Sequence, residues 1–492
     1  MSIAPRESTV ARPRHPWLRT IRVAFVPGPM TPLLEEVMDG LERHFSRLGH
    51  QVQSAPDDHT DVILTAAPFG EPLDWREALM FSARRRFNLS HAPTLCTLVQ
   101  VSPTRFQELL DHFQTVLAKE PPDPADYNFL GLAPQAYRVL FEQGRRGGPI
   151  LALERLVQAQ TKSIRVLLVV GDDRPLAAYH FDLVGAHPRS EAEAPESFYE
   201  DIVLRIVTTL STSEVNQHQV VEDPIPRALW QRLSTPAAMC TAGQQLGGRR
   251  FFTEMVRIAD LVDVPAVSEA VASQYSEGCF ATWDAKLGAL IATVTGRARP
   301  VDKGNITEDD LAVIVGVRSD GRAALVRHAE GKRNDPPSCE AVEMMDMDSA
   351  LPAIVLGPAW NTPARVPVVR SKLHGHRGIA AYDPRQVEYV ALDPAYYLYL
   401  VSCGTDGQAR GVKEALARSK ALQEPGDPRQ VVFTVLPGHG VVIVEKWVLG
   451  TAPFQVMWEY MDAGYLEVEN LIPQGSMEYI PGSDSRMLLR AA

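Results

Sequence analysis

Residues 21–29 of the 492-residue chain read IRVAFVPGP, and this stretch, with the segment after it, decides the predicted fold. Its apolar run is typical of a β-strand that is covered on both faces. Apolar residues then recur with helical spacing from Leu34 to Leu48, with Pro32 in the first turn and Gly49 just past the end. A strand that leads directly into such a helix predicts an open, mainly parallel α/β sheet.

Later segments extend this pattern and then change it. DVILTAAP and TLCTLVQV are predicted strands, Ser102 and Pro103 mark the start of a helix, and a second α/β unit is predicted to begin at SIRVLLVVGDD, residues 163–173. After about residue 300, short strand candidates such as LAVIVGV alternate with turn signals, and VVFTVLPGHGVVIVEKWVL is a predicted hairpin. The predicted fold class is α/β, with two Rossmann-like α/β layers followed by a β-rich, barrel-like C-terminal domain.

The predicted organisation has four parts. Residues 1–20 are rich in Arg, Pro and Ser and are predicted to be a disordered tail. Residues 21–160 form a first α/β domain and residues 161–299 a second one. Residues 300–492 form the β-rich domain, because their strand candidates are short and closely spaced.

Composition indicates a soluble cytoplasmic protein. The 49 basic and 60 acidic residues leave a net charge of −11, which argues against general nucleic-acid binding. The five cysteines form no C-x-x-C pair, so a reducing compartment is expected. No apolar run approaches the length of a membrane span, and the first residues contain no apolar signal core.

Two further segments carry local predictions. GQQLGGRR, residues 243–250, is predicted to be a glycine-rich loop, either cradling an anion before the next helix or simply making a turn. DGQARGVKEALARSKAL is predicted to be a helix that Asp406 caps, with a favourable pair between Glu414 and Arg418.

The stretch RSKLHGHRG, which begins at Arg370, places two histidines among cationic side chains. On a strand, His374 and His376 would share one face, so both could enter one site. Arg370, Lys372 and Arg377 could hold a phosphate or carboxylate. The stretch alone leaves three interpretations open, namely a metal site, an anion site and a basic turn.

Two carboxylates are the best partners for these histidines. Glu277 precedes Gly278 at the start of a predicted helix, and Asp302 follows 25 residues later, after the apolar run LGALIATVTG. Carboxylates at the two ends of such a segment can converge at one edge of a sheet. Two carboxylates with an imidazole suit a divalent ion such as Mn²⁺, which can hold two sugar oxygens while a carboxylate moves a proton. Alternatively, Glu277 caps a helix and Asp302 pairs with Lys303.

These features together resemble the L-fucose and L-arabinose isomerase superfamily, over most of residues 20–380. SEGCFATWDAKLGALIATVTG is similar to the segment that carries the first metal glutamate of that superfamily, and ALVRHAEGKRNDPP lies where such proteins have a strand ending near the sugar. The resemblance implies that Glu277 and Asp302 are catalytic and metal-ligating carboxylates. It implies that His374 or His376 is a third ligand, and that His328 contacts the substrate.

The resemblance implies a metal-dependent aldose–ketose isomerase that acts on a sugar or related polyol. Active sites between subunits are implied too, and the aromatic stretches DPAYYLYLV and WEYMDAGYLEV also favour a homo-oligomer. Cys279 departs from the pattern, because an acidic residue commonly follows Glu-Gly in that superfamily. This favours an alternative, a non-catalytic carbohydrate- or anion-binding protein of the same fold. A lyase or hydrolase that holds an acidic substrate at KLHGHR is a third hypothesis.

Overall fold

The fold is described from a computed structural model of the chain. The described residues are 18–67, 93–117, 164–181, 186–190, 195–211, 215–249, 251, 278–295, 301–360, 364–375, 378–392, 404–424, 426–436 and 440–469. Of the tail predicted for residues 1–20, residues 1–17 lie outside these ranges.

A seven-stranded sheet occupies the first part of the chain. Its strands are β1 (Arg22–Phe25), β2 (Gln51–Gln53), β3 (Val62–Ala66), β4 (Thr94–Val101), β5 (Ile164–Val170), β6 (Ala177–Phe181) and β7 (Ala186–Ser190). They lie in the order β2-β1-β3-β4-β5-β6-β7. The first five pair in parallel, and β6 and β7 add antiparallel. The prediction of an open, mainly parallel sheet is confirmed.

Helix α1 (Pro32–Arg47) begins and ends where the sequence predicts. The Thr31 hydroxyl caps it by accepting a hydrogen bond from the Leu34 amide over 3.2 Å. Gly49 follows the helix with a φ of +82°, a left-handed conformation that glycine adopts without steric cost. The apolar stripe of α1 packs on one face of the sheet. Two more helices of this part of the chain are among the described residues, α2 (Pro103–Leu117) and α3 (Pro195–Ser211).

A larger mixed sheet follows. The remaining strands are β8 (Gln217–Ile225), β9 (Cys279–Asp284), β10 (Ala289–Thr293), β11 (Leu311–Val317), β12 (Ala323–Ala329), β13 (Ala353–Leu356), β14 (Ala364–Pro367), β15 (Val369–Gly375), β16 (Gly378–Tyr382), β17 (Val387–Tyr389), β18 (Val431–Leu436), β19 (Gly440–Lys446) and β20 (Leu466–Glu469). Nine of them form one sheet, in the order β17-β18-β19-β15-β9-β10-β11-β12-β8. β13 pairs with β14, and β16 with β20. The predicted hairpin is confirmed by the antiparallel pairing of β18 and β19.

Both faces of the nine-stranded sheet are buried. Cys279 and Ala281 on β9 belong to one apolar core, whereas Phe280 between them belongs to the other. This alternation follows from the two-residue period of a strand. The helices here are α4 (Arg227–Trp230), α5 (Thr235–Gly248), α6 (Ala341–Asp346), α7 (Asp406–Ala417), α8 (Lys420–Gln423) and α9 (Gln455–Asp462). The first core includes residues of α6, α7 and α8, and the second includes residues of α5 and α9.

The sheet connectivity differs from the predicted arrangement in two ways. The nine-stranded sheet ends at β17 and β8, so no closed barrel occurs among the described residues. Strand pairing also crosses the predicted boundaries at residues 160 and 299, because β5 pairs with β4 and β10 pairs with β11. The α/β class is confirmed; the two domain boundaries stay predictions.

Three local predictions are corrected. The segment from Cys279 forms strands instead of a helix, because its alternate residues fill two cores. Residues 243–248 of GQQLGGRR are helical and not a loop, since α5 continues to Gly248 and its glycines allow a close approach to the main chain of Lys303 and Gly304. Thr405, not Asp406, caps α7, and the Arg418 guanidinium donates to the Glu414 main-chain oxygen.

Candidate functional site

Lys303 joins the two chain segments that carry the predicted metal carboxylates. Its ammonium group donates hydrogen bonds to the Gly278 carbonyl oxygen and to Ser338 Oγ, the latter over 3.2 Å. Lys303 is only 4% exposed, so both bonds are buried. Gly278 and Lys303 directly follow Glu277 and Asp302 in the sequence. The two ends of the segment therefore converge, although strands connect them where a helix was predicted.

Asp302 is exposed and caps the 3₁₀ turn Lys303–Asn305. Its Oδ1 accepts a hydrogen bond from the Gly304 amide over 2.9 Å. The predicted alternative, an ion pair between Asp302 and Lys303, is not formed, because the ammonium group is turned to Gly278 and Ser338. The remaining predicted residues at this point of the chain are outside the described ranges: Glu277, His376 and Arg377.

His374 lies directly opposite Cys279, because β15 pairs with β9 in an antiparallel register. Its side chain is fully buried, and Nδ1 lies 3.1 Å from the Val441 carbonyl oxygen. Burial lowers the pKa of His374; the charge of Glu340 opposes this shift, and that of Lys303 adds to it. The imidazole is therefore neutral at neutral pH, which is the form that ligates metals.

Two buried carboxyl groups lie near these residues and were not predicted from the sequence. Glu340 is 4% exposed and precedes α6, and Glu343 on α6 is 3% exposed. Burial raises the pKa of Glu343 to about 8, the Glu340 charge adds to the rise, and the neighbouring Gln408 side chain opposes it. Glu343 therefore carries its proton at neutral pH.

A sequence signal for Glu343 was available. Glu343 lies between the apolar residues Val342 and Met344 and four positions before Met347, so on a helix Glu343 and Met347 would share one face. An acidic residue on an apolar stripe marks a site where a carboxyl group enters a core. No comparable signal marks Lys303, because its burial depends on contacts with Gly278 and Ser338, far away in the sequence.

Arg370 and Lys372 were predicted to hold an anionic substrate, and both have partners within the protein. Lys372 is fully buried and donates to the Met344 carbonyl oxygen and to Asp348. Burial lowers the pKa of Lys372 and raises that of Asp348, while the ion pair opposes both shifts. Arg370 donates to the Thr451 carbonyl oxygen over 2.7 Å. Its guanidinium lies over two rings, Trp447 at 5.0 Å and Trp360 at 5.9 Å from the centroids.

His328 lies apart from the other predicted site residues. It is on β12, four strand positions from β15, and β9, β10 and β11 lie between them. With about 4.8 Å between neighbouring strands, this separation is about 19 Å. His328 lines a cleft with Trp230, Lys332 and Arg333. A monosaccharide that touches His374 would therefore not reach this cleft.

Two of the four predicted metal ligands lie within the described residues. Asp302 and His374 are the described members of the predicted ligand set. Within the described ranges, no group of three or more His, Cys, Asp or Glu residues is placed to hold a metal ion. The described residues alone therefore do not complete the predicted Mn²⁺ site, which also needs Glu277 or His376.

No protein-family model matches the chain, and no curated protein sequence matches it either. In the part of the chain that the structure describes, no helix is both long and apolar enough to cross a membrane.

Proposed function

We propose that the protein is a metal-dependent, aldose–ketose isomerase-like protein that acts on a sugar or related polyol. One observation supports this proposal: Gly278, Lys303 and His374 lie together at one end of β9. Gly278 and Lys303 each adjoin a proposed ligand, and His374 is one. We propose that the protein is related to the L-fucose and L-arabinose isomerase superfamily. We also propose that its α/β part consists of two Rossmann-like layers.

The residues have separate roles in this proposal. Glu277, Asp302 and either His374 or His376 would hold a divalent ion, Mn²⁺ in the first instance, which would polarise a substrate carbonyl. Glu277 and Asp302 would move the proton between adjacent carbons. Lys303 would position the main chain beside both carboxylates through its bond to Gly278. The fully buried His374 would offer a neutral imidazole in a fixed orientation.

Metal content and isomerase activity test the proposal together. The purified full chain is stripped with a chelator, reloaded with Mn²⁺, Co²⁺ or Zn²⁺, and analysed for metal per chain and for interconversion of aldoses and ketoses. We expect one ion per chain in the wild type and a loss of at least tenfold in metal affinity in Asp302→Asn. Asp309→Asn, in a nearby exposed turn, is the matched control. No bound metal after reloading would contradict the proposal.

A second candidate function is non-catalytic binding of a carbohydrate or anion. Cys279 favours it: burial raises the pKa of this thiol well above its usual value, so the residue after Glu-Gly is neutral. The resembled superfamily commonly has a carboxylate there. Under this second function the wild type would bind a sugar in calorimetry but neither retain metal nor interconvert sugars.

We also propose a cytoplasmic homo-oligomer. Two of the aromatic residues that favoured this prediction contact each other within the chain, since the Tyr460 and Tyr465 rings lie 5.7 Å apart, and Tyr465 is 36% exposed. The support is therefore the resemblance to enzymes with sites between subunits. Sedimentation of the full chain at micromolar concentration tests it, and a single species of 54.3 kDa would contradict it.

A further inference from the structure

Strand β8 forms one edge of the nine-stranded sheet, and most of it is exposed. Among the described residues it pairs only with β12, so its other side carries no strand. Every residue of β8 is exposed or half-exposed except Ile225, which belongs to an apolar core. Val220 is apolar and yet 39% exposed. An exposed strand edge of this kind is a ready template for pairing with another chain.

The hydrogen bonds to β12 show which main-chain groups of β8 point outward. The Gln217 amide donates to the Arg322 carbonyl oxygen over 3.3 Å, so the main chain of Gln217 faces β12. In a parallel ladder such residues alternate with residues whose N–H and C=O groups point away. His218 and Val220 therefore turn both main-chain groups outward, and the Glu222 amide points outward as well.

This outward edge is complementary to itself about a two-fold axis at Val220. When two β8 strands pair antiparallel about that axis, Val220 lies opposite Val220 of the second copy, and each His218 lies opposite a Glu222. Opposed residues of this type exchange main-chain hydrogen bonds. The three side chains share one face, so the valines make an apolar contact and each imidazole can donate to a carboxylate.

Neighbouring registers of the same two strands fit less well. An axis one residue later sets His218 opposite Pro224, which has no N–H group, and Val220 opposite the Glu222 carboxylate. An axis one residue earlier sets Val220 opposite His218, so neither the apolar pair nor the acid–imidazole pair forms. Main-chain groups and side chains therefore favour the axis at Val220.

We propose that two copies of this chain associate by antiparallel pairing of their β8 edges, which joins the two nine-stranded sheets. A two-fold contact of this kind closes after two copies, so it gives a dimer. The inference rests on the proposed homo-oligomer and names the surface that forms it. It is separate from the proposed metal site, because β9 lies four strand positions from β8, or about 19 Å.

Sedimentation of the full chain over a micromolar concentration series measures the association. We expect a dimer in the wild type. Val220→Lys should weaken the association about tenfold or more, because it sets two like charges directly opposite each other at the axis. Val355→Lys on β13 is the matched control and should not change the association, since Val355 is 77% exposed and lies in another sheet.

A charge swap separates the interface from any effect on folding. His218→Glu alone should weaken the association severalfold, because it sets a glutamate opposite Glu222 of the second copy. The double variant His218→Glu with Glu222→Lys pairs opposite charges across the axis and should restore the association. Within one chain the two positions are about 13 Å apart along the strand, so the second substitution cannot compensate for the first there.

Val220→Cys tests the register directly. Opposed residues of a hydrogen-bonded antiparallel pair have Cα atoms about 5.5 Å apart, within the range of about 4.4–6.8 Å that a disulfide spans. Mild oxidation should give more covalent dimer than the wild type gives. Val355→Cys, although more exposed, should give no more than the wild type.

Two results would overturn the inference. A wild-type chain that stays monomeric over the concentration series contradicts both the β8 interface and the proposed homo-oligomer. An oligomer that Val220→Lys and Val355→Lys leave equally strong contradicts only the β8 interface, and the chain then associates through another surface. Val220→Lys should leave metal content unchanged, so failure of the proposed isomerase function is a separate outcome.

Discussion

The Lys303 ammonium group and the Gly278 carbonyl oxygen are joined by a buried hydrogen bond between residues 25 positions apart. The turn that carries Lys303 is also held from the other side, since an added Cβ on Gly243 of α5 would lie 2.8 Å from the Lys303 carbonyl oxygen. The start of β9 and the turn after Asp302 therefore form one fixed unit.

Lys303→Met should destabilise the protein. The substitution keeps the length of the side chain but leaves the Gly278 carbonyl group and Ser338 Oγ without their buried donor. We expect a loss of about 1–3 kcal/mol in the free energy of unfolding, measured by urea denaturation. Lys286→Met, an exposed lysine in the turn between β9 and β10, is the control and should change it by less than about 0.5 kcal/mol. Equal effects of the two variants would contradict a buried role for Lys303.

Glu343→Gln should change how stability depends on pH. The pKa of Glu343 is about 8 in the folded protein, against 4.5 for an ordinary glutamate, so folding favours the protonated form. Its contribution to stability is fully present below pH 4.5 and declines as pH rises toward 8, by at most about 1.4 kcal/mol per pH unit. Glutamine removes this decline. Denaturation at pH 5.5, 7 and 8.5 should therefore show a variant that becomes more stable relative to the wild type as pH rises.

Glu36→Gln provides the reference for this experiment, because Glu36 is exposed on α1. Its difference from the wild type should stay constant across the same pH range. A Glu343→Gln difference that is equally constant would show that the Glu343 carboxyl group is not protonated in the folded protein.

Lys372→Met should be strongly destabilising, because it leaves the carboxylate of Asp348 buried without its cation. Breaking such a pair costs about 3–5 kcal/mol. The double variant Lys372→Met with Asp348→Asn should recover at least half of this loss, since no unpaired charge remains. If Lys372 instead served to hold a substrate anion, the single variant would lose ligand affinity and keep its stability.

Gly375→Ala should be destabilising for a steric reason. A Cβ on Gly375 would lie 2.2 Å from an edge carbon of the Phe251 ring, which is only 2% exposed. Overpacking of this kind costs about 1–3 kcal/mol. Gly357→Ala, where an added Cβ meets nothing within 4 Å, is the control. If Gly375→Ala leaves the free energy of unfolding unchanged, the Phe251 ring moves aside without an energetic cost.

The local elements of this fold could be predicted from the sequence because their determinants are close together in the chain. Thr31, Pro32 and Gly49 are local signals, and α1 starts and stops at them. The α5 glycines show the limit of such reasoning: GQQLGGRR has the composition of a loop. Gly243 and Gly247 nevertheless continue a helix, because another segment packs closely against them.

The sequence by itself determined the α/β class, the parallel first sheet and the strand hairpin of β18 and β19, because period-2 and helical spacing are properties of neighbouring residues. Only the tertiary structure decided which residues share a site. Strand register set His374 opposite Cys279, and sheet order moved His328 about 19 Å away. Burial turned Lys372 from a predicted substrate contact into a partner of Asp348. Register, strand order and the burial of Lys372 depend on contacts between distant parts of the chain, and no local pattern encodes them.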